Sequence, residues 1–263
     1  MEFIILLVIA LAVSAMGFHK FIWFISLGYG FSVAALGAAM LVMFASGLTP
    51  VSIVLLVLAI IYGCRLGGYL AIRERKSASY QATMKNDIKD GSAMKLLPKL
   101  CIWVSCALLY CCQVSPVFFR LKHGAPDDAA AIIGAAIMLL GVVLESAADY
   151  TKNRYKKRNP KRFCDVGLFR LVRCPNYLGE ILIWTGMFVS GLTVLSGAWE
   201  WIAAVFGWVC IVYIMFGGAR RLEIRQNKNY GSDPAYQQYV KSTPIILPLI
   251  PLYSVEKYKW LVG

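Results

Sequence analysis

The chain has 263 residues, of which 59% are hydrophobic and only 16% charged, and its mean hydropathy is +0.63. Such a composition excludes a soluble globular domain. The net charge of +13 does not mark a nucleic-acid partner, because no soluble basic module carries it; basic loops on one side of a membrane account for most of it.

Seven apolar stretches approach the roughly 20 residues that cross a bilayer: 3–18, 21–45, 50–72, 99–118, 129–149, 178–196 and 200–218. The expected fold class is therefore all-α, a polytopic membrane protein of about seven transmembrane helices. The first stretch carries Glu2 and no Lys or Arg at its start. It lacks the basic leader of a signal peptide and reads as a retained helix. In the second, Gly28-Tyr29-Gly30 lacks the third glycine of a dinucleotide loop and reads as close helix packing. The third carries Tyr62, Arg65, Tyr69 and Arg73 at helical spacing. The polar connection 73–98, broken by Gly91 and Pro98, reads as a loop with some helix. Cys101, Cys106, Cys111 and Cys112 in the fourth stretch lack C-x-x-C spacing and read as small packing residues.

The fifth stretch ends in Glu145 and Asp149 and continues as a basic helical extension, which Asn159-Pro160 should terminate. Cys174-Pro175-Asn176 fits a turn into the sixth, with proline at an early helical position. Beyond the seventh, Arg220-Arg221-Leu222-Glu223 continues as an amphipathic helix. A turn at 230–234, a short helix at 235–241 and a proline-marked tail with Pro244, Pro248 and Pro251 follow. The whole chain, 1–263, reads as a single integral membrane domain.

The bases alternate along the chain. Residues 73–99 carry seven Lys or Arg, 151–177 carry nine and 219–263 carry seven, whereas the connections after the second and sixth stretches carry none. After the fourth, Arg120 and Lys122 are offset by Asp127 and Asp128. The positive-inside rule then places the N-terminus outside and the C-terminus in the cytosol. The chain has only two histidines, His19 and His123, far apart, so a histidine-rich metal site is not expected.

Polar groups crowd three further places. Glu145 and Asp149, four residues apart, share one face of the fifth helix. Arg173, Asn176, Tyr177 and Glu180 gather at the start of the sixth, and Glu180 runs directly into Ile181-Leu182-Ile183-Trp184. A carboxylate at the edge of hydrocarbon needs a buried partner. Arg220, Arg221, Glu223 and Arg225 follow the seventh, where guanidinium forks suit phosphate oxygens. Either these groups neutralise one another or they hold a polar, anionic ligand.

These residues carry a resemblance. Glu145-Ser146-x-x-Asp149, the basic stretch, Gly167-Leu168-Phe169, Pro175-Asn176-Tyr177-Leu178-Gly179-Glu180, the tail Tyr236-Gln237-Gln238-Tyr239 with Thr243-Pro244 and Pro248, and Tyr62-x-x-Arg65-x-x-x-Tyr69 together resemble the steroid 5-alpha-reductase family. The likeness is to its C-terminal domain and to the bacterial DUF1295-like branch, with a distant likeness to the isoprenylcysteine carboxyl methyltransferases. The resemblance implies an NADPH-dependent membrane oxidoreductase of lipid metabolism that reduces a carbon–carbon double bond conjugated to a ketone, with a cofactor pocket on the cytosolic side, 129–263 binding the cofactor and 1–128 on the substrate side. Its substrate would be a hydrophobic steroid-like or isoprenoid ketone entering from the lipid bilayer. By position Tyr62 matches the tyrosine that polarises the carbonyl, with Arg65 beside it. Asp149, Asn176 and Glu180 match cofactor-contacting positions, and Glu145, Lys156, Arg173, Tyr177, Arg220 and Arg221 complete the expected cofactor set. Two departures stand out: Cys174 where relatives often carry histidine, and no acid on the second helix. The alternative reading is an S-adenosylmethionine-dependent methyltransferase, suggested by the Arg-x-Pro-Asn-Tyr segment.

Overall fold

The computed structural model describes residues 1–76 and 94–262. The loop expected at 73–98 falls mostly outside these residues. Among the described residues there is no strand. The described residues form eight α-helices: α1 Glu2–Ser14, α2 Leu27–Met43, α3 Pro50–Lys76, α4 Leu96–Lys122, α5 Ala129–Arg158, α6 Pro175–Gly191, α7 Ala198–Tyr230 and α8 Pro234–Ser242, linked in places by short 3-10 turns. Among the described residues, five helical segments are long and apolar enough to cross a membrane: Phe21–Met43, Pro50–Lys76, Leu96–Lys122, Ala129–Arg158 and Ala198–Tyr230. The first and sixth expected spans correspond to the shorter apolar helices α1 and α6. The protein is an all-α, polytopic membrane protein.

Local chemistry sets the boundaries. At the start of α3, the Thr49 amide donates to Ser52 Oγ at 2.8 Å and the Ser52 amide to Thr49 Oγ1 at 3.3 Å. This reciprocal cap precedes Pro50, which tolerates the first turn because its missing N–H has no partner there. Arg73, Arg75 and Lys76 close the other end, where cations suit the helix dipole. As expected, α5 ends before Asn159-Pro160. Asp233 caps α8 by accepting from the Ala235 amide at 2.9 Å.

The second expected span, 21–45, is not one continuous α-helix. Phe21–Phe24 is a 3-10 turn and the α-helix begins at Leu27. Packing accounts for the break: a side chain on Gly17 would collide with the Phe24 ring, Phe24 is fully buried, and its carbonyl accepts from the Tyr110 hydroxyl at 2.5 Å.

The chain divides into two compact units, Met1–Ala135 with Met187–Gly207, and Ala136–Gly186 with Trp208–Gly263. In the first, α2 and α3 meet through glycines. A Cβ on Gly30 would stand 2.8 Å from the Gly67 amide nitrogen and 2.9 Å from the Gly63 carbonyl oxygen, so only glycine permits this approach. Pro116 sits inside α4 and, lacking an N–H, leaves the Cys112 carbonyl without its helical donor. Ser115 Oγ donates to that carbonyl at 2.8 Å, the local compensation that lets a membrane helix carry proline. Arg120, almost fully buried, donates to both Asp128 oxygens at 2.8 and 2.9 Å and to the carbonyls of Pro126 and Ser190. Gly124, with φ of 60°, ends α4.

The second unit is built on α5 against α6. A Cβ on Gly141 would lie 2.6 Å from the Gly179 carbonyl, and one on Gly179 would lie 2.7 Å from Glu145 Cβ. Met138, Ile183 and Trp184 fill its core, and Trp208 Nε1 donates to Thr185 Oγ1 at 3.0 Å.

Candidate functional site

In the second unit, glycine at position 179 brings Glu145 against the first turns of α6. Glu145 is 3% exposed and Glu180 7%, so two carboxylates are buried near the ends of apolar helices. Asp149, one turn beyond Glu145, is half-buried. Asn176 stands on the first turn of α6. Its Oδ1 is buried and has no hydrogen-bond partner among the described residues. A buried amide oxygen left this way costs about 1–3 kcal/mol, so it calls for an explanation. The Tyr177 ring lies against Gly218 of α7, where an added Cβ would come within 3.5 Å of it.

Arg173 is engaged. Its Nη2 donates to Glu223 Oε1 at 2.8 Å and to the Tyr253 carbonyl. Glu223 Oε2 accepts from the amides of Val255 and Glu256 at 2.9 and 3.0 Å. The Arg173 and Cys174 amides donate to the carbonyls of Pro244 and Ile245. One buried ion pair thus ties the loop before α6 to α7 and the tail. Cys174 lies inside this knot; burial pushes its thiol up to about 12, with Arg173 and Lys152 lowering it only in part. It is a packing group rather than a nucleophile.

Lys156 Nζ donates to the carbonyls of Pro160 and Arg162 at 2.9 and 2.7 Å and to the Tyr230 hydroxyl at 3.0 Å. Its three protons therefore secure the turn after α5. Arg220 donates to the Glu256 carbonyl at 3.0 Å. Arg221 is exposed.

The tyrosines of the tail have a structural role. Tyr239 donates to the Phe169 carbonyl at 2.6 Å and stacks on Phe163, while Tyr236 packs on Phe163 and donates to Asn227 Oδ1 at 2.7 Å. These tyrosines pin the 163–169 segment.

In the first unit, Tyr62 of α3 is fully buried and its hydroxyl donates to the Tyr29 hydroxyl of α2 at 3.0 Å. Tyr29 in turn packs on Tyr110 of α4, ring centroids 5.2 Å apart. Arg65 is half-buried one turn along α3. Two groups escaped the reading of the sequence. Tyr29 was visible only as part of a glycine packing motif. Gln113 is buried in α4, and neither of its amide atoms has a hydrogen-bond partner among the described residues. A glutamine inside an apolar span was the available signal.

Residues 12–243 match the family model described as "Protein of unknown function (DUF1295)". The chain belongs to the DUF1295 family. This DUF1295 member is also similar to Steroid 5-alpha-reductase DET2 of Arabidopsis thaliana, 33% identical over 72 residues. That stretch covers 27% of this chain and 25% of the plant protein, so the likeness spans a quarter of the relative's length. No solved structure matches the chain.

Proposed function

We propose that the protein is an NADPH-dependent reductase of a carbon–carbon double bond conjugated to a ketone in a hydrophobic lipid. The observation that carries this reading is the dry hydroxyl pair Tyr62–Tyr29. Hydride addition to the far carbon of an enone drives negative charge onto the carbonyl oxygen, and a fixed donor in a water-poor site stabilises that charge. Tyr62 turns its hydroxyl from Tyr29 to the carbonyl oxygen, and Tyr29 then donates to Tyr62. A chain of two hydroxyls strengthens the outer bond. The second helix carries no acid, and Tyr29 fills its place. Arg65 keeps the neighbourhood positive. Gln113 supplies an amide for another oxygen of the lipid.

NADPH, when bound, supplies the hydride. The residues fit it on the Asn176 observation: a buried amide oxygen without a partner suits a carboxamide N–H or a ribose hydroxyl. Glu145, Asp149 and Glu180 accept further hydroxyl or amide protons, Tyr177 flanks them, and Arg220 and Arg221 face the phosphates. In this reading Arg173 and Lys156 contribute by holding the loops around the nucleotide. The substrate ketone enters from the bilayer, and residues 129–263 serve the cofactor.

Purified protein in detergent tests the proposal. NADPH raises the melting temperature by mass action, whereas stabilisation by S-adenosylmethionine alone overturns the reductase reading in favour of methyl transfer. Tyr62→Phe keeps the NADPH-induced shift and loses turnover by about 100-fold or more; full activity in that variant removes Tyr62 from the mechanism.

A further inference from the structure

Helix α5 has two unlike faces at its basic end. Glu145, Asp149, Lys152 and Lys156 recur along one of them. Opposite to it, Leu139, Leu140, Val143, Tyr150, Arg154 and Arg158 fall on one face, and all six are exposed. This second stripe is apolar for its first half, then aromatic, then doubly cationic. Leu139 to Tyr150 covers about 16 Å of helix, about the hydrocarbon depth of one leaflet.

At the cationic end lies a cleft of about 400 Å³ whose lining includes Tyr150, Thr151, Arg154, Arg158, Asn159 and Val166. The concavity arises because the chain turns back along α5 after the helix ends. Val166 packs on the cluster of Ala148, Cys164 and Phe169, and Gly167, with φ of 58°, makes the turn beside Thr151. Among the described residues no acid lines the cleft. Asp165 accepts from the hydroxyl of Tyr155, which also lines the cleft, at 3.4 Å and is paired with Arg162 at 2.9 Å. Among the described residues no ion pair or hydrogen bond engages the guanidinium of Arg154 or Arg158.

We infer that this cleft is a headgroup site for an anionic phospholipid. The phosphate sits between the forks of Arg154 and Arg158, which match its oxygens. Tyr150, 65% exposed, stands at headgroup level as interfacial tyrosines do. One acyl chain lies along Val143, Leu140 and Leu139. Because the cofactor residues of α5 occupy the other face, this site does not depend on the reductase reading.

The test is a thermal-shift titration of the purified protein in neutral detergent with dioleoyl-phosphatidylglycerol, dioleoyl-phosphatidylcholine and inorganic phosphate. Wild type is compared with R154Q/R158Q and with K241Q/K259Q, which removes two exposed lysines elsewhere. Melting in detergent alone confirms that each variant folds, and R154Q alone serves if the double variant does not. Phosphatidylglycerol is expected to bind in preference to phosphatidylcholine. The arginine pair should weaken it about thirtyfold, R154Q alone about fivefold, and the lysine pair less than about threefold. NADPH should leave its affinity unchanged. Equal losses in both double variants mean diffuse charge and overturn the site. So does an unaltered affinity in R154Q/R158Q. Inorganic phosphate acting at the same concentration as the lipid marks a free-anion site, and competition by NADPH assigns the cleft to the nucleotide; either result also overturns the inference.

Discussion

Glu223 accepts with both carboxylate oxygens, from the Arg173 guanidinium and from two backbone amides of the tail. Removing one member of a buried pair leaves the other charge without compensation and costs about 3–5 kcal/mol. Glu223→Leu should therefore lower the melting temperature sharply, whereas Tyr62→Phe should not; equal melting of Glu223→Leu and wild type would show that the pair contributes nothing. Gln113 behaves in the opposite way. Gln113→Leu removes two unsatisfied buried groups, so stability should rise by about 1–3 kcal/mol while KM for the lipid ketone increases. A variant that is more stable and kinetically unaltered would make Gln113 a packing accident. Asp128 carries a pH signature. Burial raises its pKa, but hydrogen bonds from Thr193, Arg120 and the Ala131 amide together with the Arg120 charge outweigh this and bring it from 3.8 to about 2. Its contribution to stability is fully present above the unfolded value and is lost as pH falls through about 2. Asp128→Asn should flatten the acid limb of a melting-temperature profile between these values.

At the scale of elements, the second unit depends on how closely α5 and α6 approach at Gly141 and Gly179. A side chain on Gly179 meets the backbone and Cβ of Glu145, and no rotamer change relieves a backbone clash. Gly179→Val should separate the helices and abolish the NADPH-induced thermal shift. Retention of that shift would mean that the Glu145 and Asn176 neighbourhoods do not act together. The same logic explains the α2–α3 contact, where Gly28-Tyr29-Gly30 was legible as packing. What the motif did not disclose is that the close approach lays the Tyr29 hydroxyl on that of Tyr62. The 3-10 turn at Phe21–Phe24 was likewise hidden, because hydropathy registers apolar length and not the tertiary contact between Phe24 and Gly17 that interrupts the helix.

For the molecule as a whole, charge alternation is the guide to orientation. It predicts a cytosolic C-terminus: a fluorescent protein fused there in a bacterial host should glow, and alkaline phosphatase at the same position should be inactive. The all-helical, membrane-embedded class followed from composition and from apolar lengths, since a bilayer admits few other ways of satisfying backbone groups. The acids and amides near the ends of the fifth and sixth spans were legible for the same reason, because such groups are expensive there and stand out. Which of them hold one another was decided only by tertiary packing. Arg173 and Glu223 lie fifty residues apart, and Lys156 meets Tyr230 across seventy-four. Side chains so distant in sequence find one another through the fold, and a local spacing rule has no access to that distance.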